Sequence, residues 1–171
     1  MKNKNHLDLT PLKRYQRIRK LLLFFLAALV ASGLSAFPIE WQLSVGREWI
    51  DEVNLDTPLT RWIELAHTGM SETNLKFPFI AYGTDWLAFA HLVIAIAFIG
   101  PIRDPIKNVW VIEFGLIACI AVIPMALIAG EVRSIPVFWR LIDCLFGIIG
   151  GSILFRCYSD IKTLEKLNLM A

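Results

Sequence analysis

Apolar residues are spread unevenly along the chain. They gather into four runs, Leu21 to Phe37, Trp86 to Ile102, Val109 to Gly130 and Ile135 to Phe155, separated by stretches rich in charge. Each run approaches the ~20 residues that a helix needs to cross a hydrocarbon core. The runs are too long for strands, and none shows the two-residue alternation of a membrane barrel. The pattern predicts an all-α, integral-membrane four-helix bundle in a single transmembrane domain over 1–171. Its spans fall at about 21–38, 85–102, 107–130 and 135–156, with a loop over 39–84 and tails at 1–20 and 157–171. Short second and third loops set spans two, three and four in an antiparallel hairpin series.

The long loop carries a helical period of its own. In TPLTRWIELAHTGM (57–70), Thr57 is a candidate cap and Pro58 opens the first turn. Leu59, Trp62, Ile63, Ala66 and Met70 then recur at helical spacing, while Thr60, Glu64 and His67 take the opposite face. This predicts an amphipathic helix lying on the membrane or across the bundle mouth, with a shorter one at REWIDEV (47–53). Asp104-Pro105 and Ser134-Ile135-Pro136 read as the starts of spans three and four. Trp41, Trp86, Trp110 and Trp139 fall near span ends, as in an interfacial aromatic belt.

Composition strengthens this reading: 56% of the residues are hydrophobic and 19% charged, against about 25% charged in soluble domains. The net charge of +2 matters less than where the charges lie. Lys2, Lys4, Lys13, Arg14, Arg17, Arg19 and Lys20 precede span one, opposed by Asp8; Arg103 and Lys107 lie between spans two and three, and Arg156, Lys162 and Lys166 follow span four. The 39–84 loop is acidic. The positive-inside rule therefore places both termini and the second loop in the cytoplasm, with the long loop and the Glu131–Ser134 turn outside. The basic head KRYQRIRK (13–20) suits anionic lipid, at ~1 kcal/mol per residue, better than nucleic acid. Ala31-Ser32-Gly33 offers small residues of the kind found at signal-peptide cleavage sites, but the apolar run continues to Phe37, so an uncleaved anchor is expected. Cys119, Cys144 and Cys157 all lie outside the long loop and form no C-x-x-C pair, which argues against a disulfide-stapled domain or a thiol oxidoreductase.

Five ionisable residues fall inside the runs or, for Asp85, at the edge of one; inside, a charge costs ~2.5–3.5 kcal/mol and usually faces protein or a wet cavity. Asp85 sits in the first turn of span two, where a carboxylate meets the positive end of the helix dipole. His91 lies about two turns deeper and is the one histidine within a span. A bis-histidine haem would need a second on a facing helix, so no cofactor or metal is expected. Glu113 reads as an inner gate, or as a side chain that snorkels toward Arg103 or Lys107. Pro124 should kink span three and free the carbonyl of Ile120.

In span four, Arg140, Asp143, Cys144, Gly147, Gly150 and Gly151 form one small-and-polar stripe. The glycines allow close helix packing, within or between chains. Arg140 and Asp143, three residues apart, can pair. If spans two and four touch, His91 joins them in an outward-opening polar cluster. That cluster is either an ion pair that fixes helix register, or a site for an anionic group on Arg140 with a proton relay through His91 and Asp143.

The stretches YGTDWLAFAHLVIAIAFIGPIRDP (82–105) and FWRLIDCLFGIIGG (138–151) resemble a family of small four-span bacterial inner-membrane proteins that carry no assigned activity. The resemblance implies a multi-pass protein of the bacterial inner membrane. The layout of one span, a loop with short amphipathic helices and three more spans is similar to that of the EXPERA proteins, the sterol isomerases and sigma-2-receptor-like proteins. HLVIAIAF (91–98) matches their histidine-bearing helix, but Ala95 stands where that helix carries an acid one turn on.

The function expected from all this is an accessory or small-molecule- or lipid-binding module with a polar pocket between spans two and four. It would take a small hydrophobic or anionic ligand, in contact with the lipid bilayer and open to a second copy or a membrane-complex partner. The alternative is an isomerase-like membrane enzyme or a proton-coupled carrier using His91, Arg140 and Asp143.

Overall fold

The computed structural model describes residues 10–53 and 56–168, and Lys2, Lys4 and Asp8 of the basic head lie outside them. Among the described residues the chain is all helical. Seven α-helices follow in order: α1 (Pro11–Ala36), α2 (Ile39–Val53), α3 (Pro58–Lys76), α4 (Tyr82–Ala97), α5 (Ile99–Arg103), α6 (Val109–Val132) and α7 (Val137–Asn168), with one 3₁₀ turn at Pro78–Ile80 before α4.

Four segments are long and apolar enough to cross a membrane: Pro11–Ala36, Pro78–Arg103, Val109–Val132 and Val137–Leu167. In none of them is more than 28% of the apolar window buried within the protein. The remaining surface exposes Phe24, Trp86, Ile96, Ile117, Ile128, Phe146 and Phe155, an apolar surface of the kind that lipid covers.

Helix boundaries depart from the hydropathy pattern where local chemistry intervenes. Pro101 has no N–H to give the carbonyl of Ala97, so the second apolar segment breaks at Phe98 and resumes as the five-residue α5. Asp104-Pro105 does not open span three. Asp104 ends α5, its carboxylate accepts from the Lys107 N–H at 3.1 Å, and the Asn108 amide donates to the carbonyls of Gly100 and Asp104, so α6 begins at Val109. The helix then runs on through Pro124. The largest departure is at the C-terminal side. Residues 157–168, expected as a tail, prolong α7 to 32 residues, or about 48 Å at 1.5 Å per residue. Cys157, Asp160, Ile161 and Leu164 are buried at helical spacing along it, so packing extends the helix past its apolar run.

The chain divides into two compact units, 1–27 with 96–171, and 28–95. In the first unit, α6 and α7 pack as an antiparallel pair, and small residues set how near they come. A side chain at Gly147 would collide with Val122 and the Cys119 carbonyl oxygen, and one at Gly115 would meet Leu154 and Phe98. Phe98 is almost fully buried and lies 4.9 Å, centroid to centroid, from Phe25 of α1. At Gly150 a side chain would meet both Phe25 and the Cys119 sulfur, 3.2 Å away.

In the second unit, α2 and α3 form a helical hairpin. Thr57 caps α3 with a reciprocal box: its hydroxyl accepts from Thr60 N–H at 3.2 Å, and its own N–H donates to the Thr60 hydroxyl at 2.9 Å. The expected polar face of α3 is not wholly a solvent face. Thr60 is buried within its capping box with Thr57, and His67 turns toward Ser44 of α2, a partner that the period of α3 alone cannot reveal. Glu64 stays exposed.

Candidate functional site

The charged end of α7 is built by the turn that precedes it. The C-terminus of α6 closes in a Schellman motif: Ile135 N–H donates to the Gly130 carbonyl at 2.8 Å, and Ser134 N–H to the Glu131 carbonyl at 3.0 Å. The motif needs a left-handed residue just past the helix. Ser134 fills it at φ 57, the one described non-glycine residue with positive φ. The turn brings Arg140 of α7 back across α6, where its aliphatic stem occupies the space that a side chain at Gly130 would take.

From there Arg140 Nη1 donates to Glu131 Oε2 and, at 3.4 Å, to the carbonyl of Leu127. The two charges are unequally placed: the Arg140 side chain is 13% exposed and that of Glu131 is 74% exposed. Nε of Arg140 is buried and has no hydrogen-bond partner among the described residues.

This arrangement corrects the pairing expected within α7. Arg140 pairs with Glu131 across the turn. Asp143, half-buried, makes no ion pair or side-chain hydrogen bond among the described residues. An i,i+3 neighbour competes poorly here because the stem of Arg140 is drawn over Gly130, toward α6. Further along α7, Cys144, Gly147 and Gly150 are buried, and Gly151 lies against the Cys119 side chain. Beside them runs an open groove of about 340 Å³ lined by Cys119, Ile123, Gly147, Gly151 and Phe155, among others. Glu113 on α6 is exposed and makes no ion pair among the described residues; Lys107 bonds Asp104 instead.

In the second unit, His91 is half-buried on α4. Its Nδ1 lies 2.8 Å from the carbonyl of Leu87. A carbonyl only accepts, so Nδ1 carries the proton of the neutral ring and Nε2 keeps its lone pair. Gly33 of α1 packs here: an added Cβ would lie 2.9 Å from His91 Cβ and 3.2 Å from the Ala88 carbonyl oxygen. Gly33 of Ala31-Ser32-Gly33 thus admits α4 to the surface of α1. Asp85 is half-buried in the first turn of α4, with no ion pair among the described residues.

Two polar groupings escaped the sequence. Between α2 and α3, Glu40 accepts from Ser71 at 3.3 Å and Asn74 at 2.6 Å, and Ser44 lies 3.3 Å from His67 Nε2. His67 Nδ1 and Asn74 Oδ1 are buried there without partners among the described residues. In the first unit, Asp160 is 2% exposed. It accepts from Arg14 Nη1 at 3.0 Å and from Arg17 through Nε at 2.7 Å and through Nη2. By sequence the basic head KRYQRIRK suits anionic lipid, and nothing in the pattern marks Asp160 as the acid of Arg14 and Arg17.

No family model, curated protein or solved structure matches the chain.

Proposed function

We propose that the chain is a small multi-pass protein of the bacterial inner membrane, with both termini cytoplasmic, that works as a binding or accessory module. Four long apolar helices with lipid-fit surfaces support the membrane reading, and the basic residues flanking α1 and α7 support the orientation. The observation that carries the binding reading is Arg140, a guanidinium largely withdrawn from solvent at the end of an apolar hairpin, with donors left unused. A charge that only fixed helix register would be expected to have its buried donors satisfied.

The test is purification of the full chain in a mild detergent, followed by lipid extraction and mass spectrometry. A binding module enriches a defined amphiphile over the bulk membrane extract. A lipid profile identical to the bulk extract would overturn the reading. Tags at the two termini, both reached by protease only from the cytoplasmic side, would support the orientation.

A second reading, a membrane enzyme or proton-coupled carrier, is favoured by one observation: His91 presents Nε2 with its lone pair free, as a base requires. His91→Ala with unchanged transport and turnover would remove that reading.

A further inference from the structure

We propose that Arg140 receives one anionic group, a phosphate or a carboxylate, and that Glu131 is its resident, displaceable counter-ion. This rests on the binding-module reading and names the ligand class. A guanidinium offers five N–H donors. The protein uses Nη1 alone, for Glu131 and Leu127, while Nε and Nη2 donate to nothing among the described residues. Nη1, once Glu131 leaves it, and the unused Nη2 together form an edge of the planar fork that matches the two oxygens of a phosphate or carboxylate.

The asymmetry of the pair gives the mechanism. Glu131 is 74% exposed and rehydrates when it leaves, whereas Arg140, at 13% exposure, stays withdrawn and needs a partner. An incoming anion repels the Glu131 carboxylate and satisfies donors that Glu131 does not reach. Exchange therefore replaces a one-nitrogen contact with a two-nitrogen one. The site is preorganised, because the stem of Arg140 is seated on Gly130 and the turn is fixed by the Schellman bonds. Asp143, one turn further along α7 and without an ion-pair partner, is the internal competitor.

The experiment uses the full chain in zwitterionic nanodiscs. Binding of a single-chain alkyl phosphate, the matching alkyl carboxylate, the matching alkyl trimethylammonium and inorganic phosphate is followed by native mass spectrometry and calorimetry. Wild type should bind the alkyl phosphate or carboxylate saturably and the ammonium not at all. Glu131→Gln should tighten binding by about threefold or more, since a competing charge is gone. Arg140→Lys should weaken it by about tenfold, because the ammonium keeps the charge and loses the fork.

Binding of inorganic phosphate as strong as that of the alkyl phosphate identifies a free anion as the ligand; binding of the alkylated probe alone identifies a lipid headgroup. Either supports the proposal. Unchanged affinity in both Glu131→Gln and Arg140→Lys would overturn it, as would tightening in Asp143→Asn but not in Glu131→Gln. If Arg140→Lys misfolds by circular dichroism, the Glu131→Gln arm decides alone. A co-purified amphiphile retained equally by wild type and Arg140→Lys overturns this site and leaves the module reading standing; no co-purified amphiphile together with no binding of any anionic probe, inorganic phosphate included, overturns both.

Discussion

Replacing Asp160 by alanine tests what holds the basic start of α1 to the end of α7. The carboxylate is 2% exposed and accepts three hydrogen bonds from two guanidinium groups. Hydrogen bonds to charged groups are worth about 1.5–3 kcal/mol each, so the three together set a ceiling well above the value expected on deletion. Two facts lower it. Arg14 and Arg17 keep 17% and 28% of their side-chain surface exposed, and long side chains can swing their heads to water when a partner is lost. Removing one member of a buried ion pair typically costs about 3–5 kcal/mol, and the partial exposure places Asp160→Ala near the lower end, about 3 kcal/mol. The assay is equilibrium unfolding of the purified chain in mixed micelles, followed by circular dichroism, with trypsin sensitivity of the 157–168 segment as a local reporter. The triple change Arg14→Met, Arg17→Met, Asp160→Leu should recover most of the loss, since an apolar replacement leaves no stranded charge. A cost below about 1 kcal/mol for Asp160→Ala would refute the reasoning, because that is the value of an ordinary exposed pair.

Three further outcomes are expected. Ser134→Gly should raise stability by about 0.5–1 kcal/mol in the same unfolding assay, since glycine adopts the φ of 57 without a Cβ penalty. Gly33→Val should destabilise by about 1–3 kcal/mol and shift the ring resonances of His91, because the new Cβ meets His91 and the Ala88 carbonyl at contact distance. The Arg61 guanidinium bonded to Asp56 at 2.6 Å holds that carboxyl below its ordinary value of 3.8. Its folded pKa being depressed, the pair's small stabilisation is present above pH 3.8 and fades as the pH falls below it; a Asp56→Asn variant should lack that acid-side slope in a pH titration of stability.

The architecture was legible wherever one segment's own period decided it. The four apolar runs and the Thr57-Pro58 helix start needed no partner to be read. Legibility failed where a distant residue set the outcome. The segment after Phe155 carries enough charge to read as a tail, yet it is helical, with a buried stripe and with Asp160 bonded to arginines of α1 more than a hundred positions earlier. Local spacing offered Asp143 to Arg140, yet Glu131 holds it, because a serine in a glycine's place completes a turn that sends the arginine back across α6. The period puts His67 on the polar face of α3, and only α2 reveals its partner, Ser44.

The bond between Arg17 and Asp160 also imposes an order in time. The two residues lie 143 positions apart. A ribosome adding about 5–20 residues per second therefore makes the acid roughly 7–30 s after the base. During that interval Arg14 and Arg17 of the first helix lack the carboxylate they bond in the folded chain, and only translation past Asp160 supplies it. A nascent or truncated chain that stops short of Asp160 thus differs from one that extends beyond it by an unsatisfied cationic edge at the start of its first helix.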